Sequence, residues 1–312
     1  MTEKDVYICA CSETGGLYHF KLNADGGIRF CSVAALDRPM YAALEDDRLY
    51  VLLRAPFRGS EHSGVAVLPV EEDGRPGGAK SLVSTGGTVS AHLCVRGGEV
   101  YTANYVSGDI TKLPDKTVSH QAYSPAGGGA HPHFIGFTPD GKYIAVADLG
   151  LDSVFVYDPE LAPVSSERAP AGSGCRHLAF SPDGKYAFCA NEHSSDVSVF
   201  AYSDGRFRLI NTYKALPEDR VGATYAAAIR CADDLVYVSH RGYDAVTVFS
   251  HNGGVLEKRG DIPCGGAWPR DFAVWGDILV CTNEKSDSVT VIRGGKVLSV
   301  HTLPSPIAVL IK

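Results

Sequence analysis

Arg176, Arg241, Arg270, His133, Glu192 and Glu284 are the side chains of this sequence best suited to chemistry. A guanidinium fork grips carboxylate or phosphate oxygens through two parallel hydrogen bonds, and a carboxylate beside an imidazole can move a proton. Gathered at one opening, these groups would bind an anionic molecule and exchange protons with it. Their spacing is ordered. His133 and Arg176 lie 43 residues apart, at one phase ahead of a pentapeptide that recurs as Pro139-Asp140-Gly141-Lys142-Tyr143 and Pro182-Asp183-Gly184-Lys185-Tyr186. Arg270, in Trp268-Pro269-Arg270-Asp271-Phe272, takes that phase again.

The elements that must position these residues follow from the same repeat. Related units begin near Val6, Leu49, Val100, Tyr143, Tyr186, Val236 and Ile278, at separations of 43, 51, 43, 43, 50 and 42 residues. Inside each unit Val, Ile, Tyr, Phe and Ala alternate with polar residues at period two, and Asp-Gly or Asp-Asp pairs mark the turns. Seven all-β units of this length predict a seven-bladed β-propeller of four-stranded antiparallel blades, one domain over residues 1–312. A solenoid is the competing architecture. The segment from Pro304 to Ile311 reads as the inner strand of a blade whose second strand is Val6 to Cys11, so strands from both termini should close the ring.

In an antiparallel hairpin the start of the first strand and the end of the second share one edge of the sheet. That places His133, Arg176 and Arg270 at one mouth with Arg54, Tyr105, Leu149, Glu192, Arg241 and Glu284, the residues that end successive second strands. Asn104, Asp148, Asn191, His240 and Asn283 precede five of the latter. The plainer reading of such a cluster is a set of Arg–Glu pairs tying neighbouring blades together.

Composition narrows the field. The 312 residues carry a formal charge of −7, which opposes nonspecific binding to nucleic acid or acidic membranes. No apolar run approaches a membrane span, and the charged start Met1-Thr2-Glu3-Lys4-Asp5 lacks a signal-peptide core, so a cytoplasmic location is expected. Nine scattered cysteines without a CxxC pair fit reduced core residues rather than a disulfide framework or zinc ribbon. HExxH, GxGxxG after a strand, a Walker loop and GxSxG are all missing. His131-Pro132-His133 would put two imidazoles on one strand face, but no third ligand is identifiable, so neither metal nor cofactor is expected.

The run from His131 to Tyr143, then Asp148-Leu-Gly-Leu-Asp152, Arg176-His177 through Tyr186, Asn191-Glu192, Ser239-His-Arg-Gly-Tyr-Asp244 and Pro269-Arg-Asp-Phe272 resembles the lactonase family of seven-bladed propellers. That family includes the propeller-type 6-phosphogluconolactonase and the carboxymuconate lactonizing enzyme. The resemblance implies catalytic roles for His133, Arg176, Glu192 and Arg241 and hydrolysis of a small anionic sugar-acid lactone without metal; Arg270, Asn104, Asp148, His177 and Glu284, at or beside the same mouth, are the substrate-binding candidates. A muconate cycloisomerase and a propeller that only binds a ligand or protein are the alternatives. Three positions depart from the family pattern: Cys175 replaces a Pro, His240 an Asn, and Ala228 a Glu that many relatives carry, a lost carboxylate that bears on substrate identity.

Overall fold

The computed structural model describes residues 3–54, 56–124 and 129–312. Their strands form seven four-stranded antiparallel sheets. Six sheets run outward in chain order, and we number these blades one to six by their inner strands: Pro39–Glu45, Ser90–Arg96, Pro132–Phe137, Cys175–Phe180, Tyr225–Ala232 and Pro269–Trp275. Blade seven is composite. Its inner strand Pro306–Ile311 pairs with Lys4–Ala10, with Ile8 opposite Val309, and Gly16–Leu22 and Ile28–Ala35 complete it. The two ends of the chain therefore close the ring through ladder hydrogen bonds, as the sequence predicts.

The apolar core lies between blades rather than inside any one of them. Phe134 and Val156 of blade three pack with Leu178, Cys189 and Phe200 of blade four, and each of the other six seams has its own cluster. A sheet covered on both faces needs a continuous apolar run. Accordingly every residue of the second strand Ile144–Asp148 is buried, whereas the outer strand Pro163–Arg168 is largely exposed and polar.

One local irregularity recurs in all seven blades. Where each inner strand begins, its register slips against the second strand: at Met40, Ala91, His133, Arg176, Arg270 and Ile307 one residue bulges, and in blade five Ala227 and Ala228 together oppose Ser239. A β-bulge leaves its extra residue out of the ladder and re-aims its side chain. All six single-residue bulges line the channel. Turn residues then fix the height of these strands. Asp152 accepts hydrogen bonds from the backbone of Gly172 and Gly174 at 2.7 and 2.6 Å, just ahead of Arg176. Asp244 accepts from Trp268 N at 2.8 Å, just ahead of Arg270, and Asp148 from His131 N at 2.8 Å, just ahead of His133.

Candidate active site

At one mouth of the channel the bulged residues and the second-strand ends enclose a cavity of about 260 Å³. Its polar wall is His133, Arg176, Glu192, Arg241, Arg270 and Arg54, and Met40, Ala91 and Val106 contribute apolar surface. The six ion-forming or proton-moving groups come from blades one, three, four, five and six, so only ring closure brings them together.

Glu192 is the hub. Its Oε2 lies 2.8 Å from Arg176 Nε and 2.9 Å from Arg241 Nη2, which spans blades four and five. Arg241 also donates to Ala226 O at 3.2 Å, and its guanidinium sits 5.7 Å from the ring centres of both Tyr225 and Trp268. Trp268 adopts a positive φ of 68°, the left-handed region that a bulky residue occupies only at a cost of about 1–3 kcal/mol. The same inner-strand approach in blade four uses Gly174, φ 71°. A tryptophan there brings its ring within reach of both the Arg241 guanidinium and the Lys285 ammonium, the latter 3.1 Å from the ring centre. Arg270 Nη1 donates to Glu284 Oε2 at 3.0 Å within blade six.

Four guanidiniums thus face two carboxylates. Burial alone would raise the Glu192 carboxyl, but Arg176, Arg241 and Arg270 hold it below its ordinary value, and it stays ionised. His133 is pushed well below the usual histidine range by burial, then by Arg176, Arg270 and Arg241. It is therefore neutral near pH 7, with a free nitrogen to offer. Burial and Arg241 depress Arg176 to about 9 against the pull of Glu192, so its charge persists at neutral pH.

The structure separates the sequence-predicted residues into groups. His133, Arg176, Glu192, Arg241 and Arg270 share the cavity, and Glu284 reaches it through Arg270. His177 lies one layer deeper, where its Nε2 meets Arg230 Nη1 at 3.2 Å. Asn104 and Asp148 do not line the cavity. Asn104 is fully buried and donates to Asp109 at 2.6 Å and Thr111 at 3.0 Å; Asp148 is fully buried against His120 Nδ1 at 2.8 Å. Both serve the joint between strands, because a strand end next to the mouth still points its side chain into the seam. Ala228 packs in the apolar seam of blades five and six beside Phe272 and Tyr237 and does not line the cavity. The ring of His131 stacks on Tyr105 at 4.6 Å and its Nδ1 bonds Tyr105 O at 2.8 Å. Among the described residues no group of three or more His, Cys, Asp or Glu side chains is arranged to hold a metal.

Sequence reasoning missed His92, Tyr41, Asp271 and Arg230, which fill the channel below the cavity. Three of them follow a bulged residue by one position, and that offset was the available signal.

Buried neutral histidines make the fold acid-sensitive. His92 and His240 are depressed to about 3, first by burial, and His133 and His177 also fall well below the ordinary value. Each binds a proton in the unfolded chain below about pH 6.5 but not in the folded one, so stability is complete above that pH and lost as pH falls. At pH 5 the loss is about 2 kcal/mol for each of His92 and His240, and His133 and His177 act in the same direction. Denaturant midpoints should therefore fall steeply between about pH 6.5 and 5; a flat profile would mean these imidazoles are charged or solvated in the native state.

Comparison with known proteins agrees with this geometry. Residues 5–299 match the family described as Lactonase, 7-bladed beta-propeller, and the chain belongs to that family. It is 29% identical over 308 residues to an uncharacterised Staphylococcus aureus protein, covering 89% of this chain and 88% of that one. Among solved structures, a periplasmic gluconolactonase of Pseudomonas aeruginosa superposes with a TM-score of 0.89 at 25% identity, over 99% of both chains. A Bacteroides uniformis protein provisionally assigned as a 6-phosphogluconolactonase gives 0.89 at 26% identity over 100% of both. Among the described residues no helix is long and apolar enough to cross a membrane.

Proposed function

We propose that the protein hydrolyses a sugar-acid lactone at this cavity, using its own side chains without a metal. The observation that carries the reading is the convergence of a neutral imidazole, a buried guanidinium and a surplus of positive charge on one small cavity. His133 is the base. Among the described residues its nitrogens carry no ion pair, whereas the Glu192 Oε2 is held by two guanidiniums. Water adds to the lactone carbonyl carbon and passes a proton to His133, while the carbonyl oxygen becomes an oxyanion facing Arg176. The imidazolium, disfavoured in the empty cluster, forms at the moment that negative charge appears beside it. The tetrahedral adduct then breaks its bond to the ring oxygen, and the imidazolium returns the proton to that leaving oxygen, giving the open hydroxy acid. Glu192 holds Arg176 and Arg241 together against their mutual repulsion. Arg241, Arg270 and the exposed Arg54 are placed to receive an anionic tail.

The family and the similarity to a gluconolactonase and a provisional 6-phosphogluconolactonase support a sugar lactone as substrate. The test is the initial rate of opening of gluconolactone and of its 6-phosphate, each corrected for spontaneous hydrolysis. Both should be accelerated, and the phosphorylated lactone should show the higher kcat/KM because four guanidiniums face two carboxylates. Acceleration of neither lactone would refute the proposal, and turnover of a carboxylated muconate alone would replace it with ring closure.

A further inference from the structure

Below the cavity a second layer of side chains closes the channel. Tyr41, His92, His177 and Asp271 each follow a bulged residue by one position. His92 is at the centre of this layer, its ring centre 4.0 Å from Tyr41, 4.6 Å from Phe134 and 5.4 Å from His177. Between the two layers is a niche of about 30 Å³, bounded by His133 and Arg176 on the cavity side and by His92, His177 and Asp271 on the other. That is room for a water molecule, and a polar niche of this size favours one.

The polar groups around the niche are unequally satisfied. His177 is engaged by Arg230, and Asp271 accepts from Arg230 Nη2 at 2.6 Å and from Val309 N at 3.1 Å. His92 is only 6% exposed, and among the described residues the Ile135 backbone is the polar group beside its ring, which engages at most one of the two nitrogens and leaves the other unmet; Arg176 Nε makes no well-directed hydrogen bond. A neutral imidazole offers one donor and one acceptor, and leaving either unmet in a buried place is costly. Such a residue among aromatic neighbours would be replaced by Phe without loss of packing if packing were its whole role.

We propose that His92 holds a water molecule in this niche, against Arg176 and His133, and that this water is the nucleophile that opens the lactone. The proposal rests on the lactonase reading above. The unprotonated nitrogen of His92 accepts a hydrogen bond from one proton of the water, and His133 removes the other as the oxygen adds to the carbonyl carbon. His92 itself is not protonated in the step; it orients the water's lone pair toward the cavity. Burial, with Arg230 close by, keeps its imidazole neutral throughout the working pH range.

Two measurements test this. In kinetics, His92→Phe should lower kcat by about 10- to 100-fold with KM nearly unchanged and with undiminished thermal stability, and His92→Gln should restore part of kcat. A merely structural histidine would instead show a fall in melting temperature and wild-type kcat in whatever remains folded, and that result would overturn the proposal. The second measurement does not depend on turnover: high-resolution crystal structures of the wild type and His92→Phe. Density for a water within hydrogen-bond reach of His92 and Arg176, lost in the variant, is expected, and a dry niche in the wild type would refute the inference. An ordered water in a protein that opens no lactone would sink the reaction reading while leaving the water site standing.

Discussion

Arg176→Ala is expected to lower kcat/KM for the lactone by about 10²- to 10³-fold, the usual consequence of removing one preorganised donor to a developing oxyanion. Arg176 is 4% exposed, with Arg241 and Glu192 as neighbours, so its charge acts in a poorly solvated place where it is worth more than at a surface. The loss should fall mainly on kcat, because the planar lactone carbonyl gains full negative charge only as water adds. Arg176→Lys keeps the charge but not the fork, and should recover only part of the rate. Folding should survive, since Glu192 keeps Arg241 as a partner. A variant that melts like the wild type and turns over at the wild-type rate would remove Arg176 from the chemistry.

Glu192→Gln is the second large effect, and its sign differs between binding and turnover. The amide keeps the shape of the carboxylate but removes the charge that balances Arg176 and Arg241. With one negative charge fewer, the cluster should bind an anionic substrate or product more tightly. His133 should become a still poorer base, because the three arginines that depress it lose their counterweight. The predicted result is a kcat lowered by about 100-fold together with an unchanged or smaller KM. Steady-state kinetics on a phosphorylated lactone reads both quantities. A raised KM with kcat preserved would mean that Glu192 binds substrate instead of tuning the cluster.

The fold was legible in the sequence because the repeat is written into the second strands, which are buried after their first residue or two and restate the same apolar run in each unit. Ring closure was legible for the same reason: Pro306–Ile311 has the pattern of an inner strand and no sequential partner except the N-terminal strand. His133, Arg176 and Arg270 could be aligned because all three sit at the bulge, which keeps its place relative to the repeat. The deeper layer could not be found by alternation. Strict period-two counting sends the residue after Arg176 to the other face, but a bulge adds one residue and lets both Arg176 and His177 border the channel. His92 and Asp271 were hidden by this irregularity, and Arg230 because a long side chain reaches the channel from two or three residues beyond the bulge. Asn104 and Asp148 erred in the opposite direction. Their position beside the mouth suggested substrate, whereas their side chains complete hydrogen bonds inside the blades.

The central claim is that bulged inner-strand residues from several blades form the place where a lactone is opened. A crystal structure with the ring-opened sugar acid bound tests it most directly. The account predicts the product carboxylate against Arg176, within reach of His133, and the far end of the molecule toward Arg54 and Arg270. A product bound on the opposite face of the ring, or with its carboxylate away from Arg176, would contradict it.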